Sequence, residues 1–252
     1  MNHTNPLQGN ANYNLLFILR RMPEIAHKKI LVVIPVYNEG VIVRGIIESV
    51  IQKSVAGVIV VDDGSDEPVI SRLTGLPVTV LRHRVNLGQG AALQTGFDYA
   101  LKKGADIVIT FDADGQHDTG DLQQLIEPII TNEADVVLGS RFLPGNGTPV
   151  PFSKKIVLQT ARYINYVFSG LLLSDAHNGL RAFNKKALDK ISITENRMAH
   201  ASELLFLLKK HGLRFKEIAV NIHYTDYAKQ KGQGTKDGFK ILFDLVLHKL
   251  FK

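Results

Sequence analysis

A chain of 252 residues with a net charge of +6 has room for one large α/β domain and favours anionic partners: nucleotides, phospholipid head groups or nucleic acid. It contains no cysteine, which excludes disulfides and thiolate metal sites and suits a reducing compartment. No apolar run reaches the length of a transmembrane helix, and the polar stretch 1–14 lacks the apolar core of a signal peptide.

Residues 1–28 read as an extension ahead of the domain. Within it Leu15-Leu16-Phe17-Ile18-Leu19 runs into Arg20-Arg21, which fits a packed surface helix or a membrane or partner contact. Residues 29–35 are apolar without alternation, the pattern of a strand buried on both faces. Just beyond Pro35, Tyr37 and Glu39 are placed to hold a base and ribose; Glu39 could equally complement the dipole of the next helix. That helix is marked by Ile42, Ile46, Ile47, Val50 and Ile51. A second strand, 57–61, ends in Asp62-Asp63-Gly64-Ser65-Asp66. Strand–helix–strand with acids closing the second strand is a nucleotide-binding half. Asp62 could bond a base or ribose hydroxyl, or only shape an Asp-Gly turn. A third strand, 78–81, precedes Asn86-Leu87-Gly88-Gln89-Gly90, which opens a helix to about Lys102. Its glycines either let the helix approach the sheet or leave backbone N–H groups for an anion. The dinucleotide fingerprint is not met, because Leu93 stands where it needs glycine.

The fourth strand carries the most telling stretch, Asp106-Ile107-Val108-Ile109-Thr110-Phe111-Asp112-Ala113-Asp114-Gly115-Gln116. A buried strand that ends in carboxylates at i and i+2 sets both at the sheet edge where α/β proteins bind ligands. Alternation along the strand predicts that they face one pocket. Two such charges call for something positive between them, and a hard cation such as Mg2+ or Mn2+ prefers oxygen ligands shared with substrate phosphates. A polar turn would look the same when this stretch is taken alone.

Thr119 or Asp121 is predicted to start the next helix, with Pro128 bending or ending it. A fifth strand, 135–141, ends in Arg141 on the same predicted edge as the acids, suited to a phosphate or a surface ion pair. A Pro/Gly-rich loop, 142–151, leads to a long helix over 153–173, either core-packed or at a membrane surface. Ser202 is predicted to cap a helix over 203–211, which puts Glu203 at its start, and residues 215–222 alternate as a strand. A basic loop, 223–236, precedes an amphipathic helix, 238–252, fit for a membrane interface, its own domain or a second copy of the chain.

Six motifs occur in order: Ile34-Pro35-Val36-Tyr37-Asn38-Glu39, Val61-Asp62-Asp63-Gly64-Ser65, Asn86-Leu87-Gly88-Gln89-Gly90, Phe111-Asp112-Ala113-Asp114-Gly115-Gln116, Gly139-Ser140-Arg141 and Asn178-Gly179-Leu180-Arg181-Ala182-Phe183. As a set they resemble family 2 of the glycosyltransferases, in particular the dolichyl-phosphate mannose synthase type, over about residues 29–237. The resemblance implies a GT-A fold: a single Rossmann-like α/β domain with a mostly parallel central sheet flanked by helices. It implies an inverting transferase with a nucleotide-diphosphate sugar donor, a Mg2+ or Mn2+ ion, and peripheral contact at the cytoplasmic face of a membrane. No nucleic-acid partner is expected. By position, Pro35, Tyr37, Glu39 and Asp62 look like the nucleoside pocket. Asp112 is similar to the residue touching ribose and sugar or metal, Asp114 and Gln116 resemble metal ligands, and Arg141 a diphosphate or acceptor-phosphate contact. Lys229, Lys231 and Lys236 resemble a lid over the diphosphate.

The Glu-Asp pair of many sugar-to-sugar members is absent, and the Gln-x-x-Arg-Trp motif of processive synthases is impossible without tryptophan. Polymer synthesis is therefore not expected, and the resemblance implies a polyprenyl phosphate acceptor, since the motif set is most similar to enzymes whose acceptor is a phosphate and the missing Glu-Asp pair points the same way. A lipid-linked saccharide hydroxyl is the alternative, with Glu203 or a nearby Asp as its general base. A catalytically silent nucleotide-sugar-binding subunit is the alternative of another class.

Overall fold

The computed structural model describes residues 27–53, 57–144, 169–197 and 199–223, and the helical residues 158–160, 162–163 and 166–167. The elements in chain order are β1 (Ile30–Val36), α1 (Ile42–Ile51), β2 (Gly57–Asp62), β3 (Val78–Arg82), α2 (Gln89–Lys102), β4 (Ile107–Thr110), α3 (Leu122–Ile130), β5 (Val136–Ser140), β6 (Arg181–Asn184), α4 (Lys185–Leu188), α5 (His200–Lys210) and β7 (Phe215–Ala219). They build one sheet in the order β3-β2-β1-β4-β6-β5-β7. β6 is antiparallel to both its neighbours, and every other pairing is parallel.

The apolar strands are continuous because both faces of the sheet are covered. Leu31, Val33, Ile59 and Val61 pack with Ala92, Leu93 and Phe97 of α2 and with Leu204 and Leu208 of α5. The alternate residues Val32, Ile34, Val58 and Val60 pack with Val43, Ile47 and Val50 of α1 and with Leu122 and Leu125 of α3. The parallel strands β1, β2, β4 and β5 therefore end at one edge. β6 runs the other way and starts there: Arg181 lies opposite Thr110 of β4 and Leu138 of β5.

Several local expectations need correction. β4 stops at Thr110, so Asp112 and Asp114 lie in the loop beyond it, and strand alternation does not set their directions. Asp121 stands at the start of α3 as expected, after a short 3-10 turn over which the Asp118 carboxylate accepts the Gly120 N–H at 2.7 Å, but the helix runs through Pro128 to Ile130. α5 begins at His200, so Ser202 is inside the helix, where its hydroxyl is buried without a partner among the described residues. The helix expected to reach residue 173 ends earlier, at Gly170 with φ +66. No helix of the described residues is long and apolar enough to cross a membrane. The predicted C-terminal helix, 238–252, and most of the extension 1–28 lie outside the described residues.

Candidate active site

The acidic loop after β4 is braced from two sides. Gln89, at the first position of α2, donates to Asp112 Oδ1 at 3.0 Å, and His117 Nε2 lies 3.1 Å from Asp112 Oδ2. Burial works to raise the Asp112 carboxyl, but the His117 hydrogen bond and the charges of His117, His200 and Arg181 outweigh it and hold the group below its ordinary value. Asp114 is perturbed the other way. Burial raises it first and the Asp112 charge raises it further, against the partial relief of the Gln116 N–H. The Gln116 backbone and side-chain N–H groups each reach an Asp114 oxygen at 2.9 Å.

This donor set fits a hard cation. No group of three or more His, Cys, Asp or Glu side chains is arranged for a metal among the described residues. Two carboxylates and an amide oxygen are what Mg2+ or Mn2+ takes when substrate phosphates and water complete its shell. The raised Asp114 carboxyl supports the fit, since a second charge beside Asp112 is the one a cation would relieve.

Gly179 covers the loop. A Cβ there would lie 2.0 Å from Asp112 Oδ2, so the backbone approaches as only glycine permits. Thr110 holds it by donating to the Gly179 carbonyl at 2.6 Å. Arg181 follows, almost fully buried, donating to the Asn178 and Ala176 carbonyls at 2.8 and 3.3 Å. Burial pushes its pKa down to about 10, against the pull of Asp112 and Asp175. Burial likewise pushes His177 down to about 4, so that side chain is neutral at pH 7.

Arg141, one residue past β5, is joined to Asp175 by two side-chain contacts, Nε to Oδ2 at 2.6 Å and Nη2 to Oδ1 at 2.8 Å. Burial works to raise the Asp175 carboxyl, but the Arg141 charge and hydrogen bonds hold it below its ordinary value.

The proposed nucleoside residues separate into two kinds. Tyr37 is exposed and Glu39 half-buried beyond the end of β1. Pro35 is buried within the strand, and Asp62 is fully buried, accepting the Ser65 and Val69 N–H groups at 2.9 and 3.0 Å. Asp62 thus shapes its own loop. Its neighbour Asp63 accepts the N–H groups of Leu87 and Gly88 at 3.0 and 2.7 Å. The Gly90 and Ala91 N–H groups go to the Asn196 carbonyl at 2.8 and 3.3 Å. The glycine-rich opening of α2 therefore lends these four amides to the protein, not to an anion. Its glycines admit the segment around Asn196, since a Cβ on Gly88 or Gly90 would lie 2.3 or 2.0 Å from a carbonyl oxygen there.

Glu203 anchors the same segment. Its carboxylate accepts the Thr194 N–H, the Thr194 hydroxyl and the Glu195 N–H. Lys229, Lys231 and Lys236 lie outside the described residues. The chain leading to them is tied to the acidic loop: His223 N–H donates to the Gln116 carbonyl at 2.7 Å, and Ile222 bridges to His117.

The fold thus brings Asp112, Asp114 and Gln116 together on one loop, on the sheet edge where Arg141 also lies. Gln89, His117 and Asp175 had no role in the sequence reading. Gln89 sits inside a motif and His117 directly after one, but nothing in their spacing shows that they brace one carboxylate. Asp175 is 34 residues from its partner, and only the fold joins them.

A model described as glycosyl transferase family 2 matches residues 31–192. An uncharacterised protein of Methanocaldococcus jannaschii is 36% identical over 231 residues, covering 90% of this chain and 95% of its own. The UDP-N-acetylglucosamine–dolichyl-phosphate N-acetylglucosaminyltransferase of Methanococcus voltae is 32% identical over 248 residues, covering 90% and 99%. The crystal structure of glucosyl-3-phosphoglycerate synthase from Mycobacterium tuberculosis with Mn2+ and UDP-glucose superposes with a TM-score of 0.66 at 20% identity, covering 90% of this chain and 82% of that one. That last likeness is one of fold.

Proposed function

The chain belongs to glycosyl transferase family 2 and carries the GT-A fold, and from that premise we propose that it transfers a sugar from a nucleoside-diphosphate donor to a polyprenyl phosphate at a membrane surface, with inversion at the anomeric carbon. The observation that carries the acceptor is the state of Glu203. A hydroxyl acceptor needs a base with an available lone pair, and this carboxylate is already engaged by Thr194 and Glu195. A phosphate acceptor arrives as an anion and needs no base. The dolichyl-phosphate acceptor in the name of the Methanococcus relative supports the same choice.

In the reaction an oxygen of the acceptor phosphate attacks the anomeric carbon. The bond from that carbon to the donor's β-phosphate oxygen breaks, and its electron pair leaves with the nucleoside diphosphate. No proton moves. Tyr37 and Glu39 take the base and ribose, while buried Pro35 and Asp62 fix the shape of that pocket. Gln89 and His117 hold the two oxygens of Asp112 so that it does not turn as the donor enters. Arg141 faces the charge growing on the diphosphate, where preorganised donors act most strongly. Lys231 and Lys236 are the cations assigned to cover the diphosphate. A Mg2+ or Mn2+ ion held by Asp112, Asp114 and Gln116 would supply further neutralisation of the leaving group.

The test is transfer of labelled sugar from UDP-N-acetylglucosamine, UDP-glucose or GDP-mannose into an organic-extractable product, with Mn2+. Polyprenyl monophosphate and a lipid-linked saccharide are offered separately. Turnover on the monophosphate is expected. Turnover on the lipid-linked saccharide alone would overturn the reading.

A further inference from the structure

Arg141 is not presented to the site as a bare cation. Asp175 occupies the guanidinium edge made by Nε and Nη2, and it also accepts the Arg141 backbone N–H at 3.1 Å. The Asp175 side chain is 1% exposed and that of Arg141 13%, so solvent does little to screen the pair. The loop carrying Asp175 is fixed from behind by Glu217 of β7. Glu217 accepts the Ser174 N–H at 2.8 Å and the Asp175 N–H at 3.2 Å. The Ser174 hydroxyl in turn lies 2.6 Å from the hydroxyl of Ser140, the residue before Arg141. Three segments, the end of β5, residues 174–175 and the middle of β7, are thus linked into one hydrogen-bonded frame behind the guanidinium.

An arginine whose task is only to attract a diphosphate gains nothing from a buried carboxylate, which subtracts from its field. An arginine that must meet charge developing in one direction gains a fixed plane. We infer that Asp175 is a positioning residue that orients Arg141 and attenuates its charge. The guanidinium, held in that plane, meets the phosphate in the transition state, and the offset charge keeps the departing nucleoside diphosphate from being held. Binding the ground state and product less, and the transition state no less, is what raises turnover. This role rests on the reading of Arg141 as a phosphate contact.

Asp175→Asn keeps the shape and one acceptor and removes the charge. Inorganic pyrophosphate with Mn2+ is titrated calorimetrically, and turnover is measured with the nucleotide sugar that the wild type uses. Pyrophosphate should bind about three- to tenfold tighter, the scale of one nearby charge in a partly screened site. Turnover at saturating donor should fall at least about tenfold from the lost orientation. KM and kcat therefore fall together, whereas a merely structural ion pair would weaken binding and turnover alike. Weaker pyrophosphate binding than wild type, or full turnover, overturns the inference. If Asp175→Asn does not fold, Arg141→Lys decides: it keeps the charge but offers Asp175 no plane to orient, so pyrophosphate affinity should hold while turnover falls at least about tenfold. Full turnover in that variant overturns the inference as well. Arg141→Ala separates the two levels. Unchanged pyrophosphate affinity there would sink the phosphate contact itself, whereas weakened affinity beside an untightened Asp175→Asn sinks only the role of Asp175.

Discussion

Replacing Gly179 by alanine tests how closely the covering loop controls Asp112. The new Cβ would stand 2.0 Å from Asp112 Oδ2 and 2.7 Å from its Cγ, where ordinary contact begins at 3.4 Å, so one partner must retreat by about 1.4 Å. Neither side yields without loss. Retreat of the backbone breaks the 2.6 Å bond from Thr110, and retreat of the carboxylate breaks those from Gln89 and His117. Overpacking of this kind costs about 1–3 kcal/mol in stability. The functional loss should be larger, because a displacement of about 1 Å at a reacting centre can cost about 100-fold in rate. Steady-state kinetics of Gly179→Ala should therefore show kcat/KM down about 100-fold, while a thermal melt shows a folded protein only a few degrees less stable. Activity within threefold of wild type would mean that Asp112 tolerates displacement, and the assignment of this loop as the reacting centre would fail.

Asp114→Asn should abolish the Mn2+-induced rise in melting temperature while the protein stays folded; an unchanged metal response would remove Asp114 from the donor set. The Asp114 carboxyl is raised in the folded state, so its charge weakens the fold as pH climbs past the ordinary carboxylate range, and in the absence of metal the Asn variant should melt no lower than wild type at pH 7. Asp135 has the opposite sign. Arg214 above all, then Asn184 and Lys186, hold its carboxyl far below the ordinary value, so its contribution is present above that value and is lost on acidification. Asp135→Asn should cost about 1–3 kcal/mol at pH 7, allowing for the half-exposed cations around it, and the cost should shrink in urea melts as the pH drops toward 3. Glu203→Gln should lower stability through the Thr194–Glu195 anchor and reduce kcat by less than about tenfold without moving the pH profile, since loss of a general base typically costs about 100-fold or more.

The inner strands β1, β2, β4 and β5 were readable because they are apolar on both faces, and period and turn residues suffice to find such runs. The acids of the β4 loop and Arg141 were readable as site candidates because the edge at which parallel strands end is a property of topology. Side-chain direction was not readable. Alternation gave Asp112 and Asp114 a common face by extending β4, but the strand ends at Thr110; Asp112 is set by nearby His117 and by Gln89 and Gly179, which are distant in sequence, and Asp114 by Gln116. Glu203 and Ser202 show the same limit. A helix start can be guessed from a serine followed by an acid, yet here the helix begins at His200, with Ser202 inside it and Glu203 engaged by Thr194 and Glu195. The glycines of α2 could be read either way, and only the position of Asn196 decides between an anion and a neighbouring loop.

The antiparallel insertion of β6 has a consequence for the order in which the chain becomes competent. Synthesis delivers β1 to β4 first, and β1, β2 and β3 can pair as soon as they emerge. β4 gains its second neighbour only when residues 181–184 arrive, and the same arrival brings Gly179 over Asp112 and sets β5 in place. A nascent chain released before residue 184 would hold the acidic residues without the strand that shapes them. The acidic loop therefore takes its final shape only in the last third of translation.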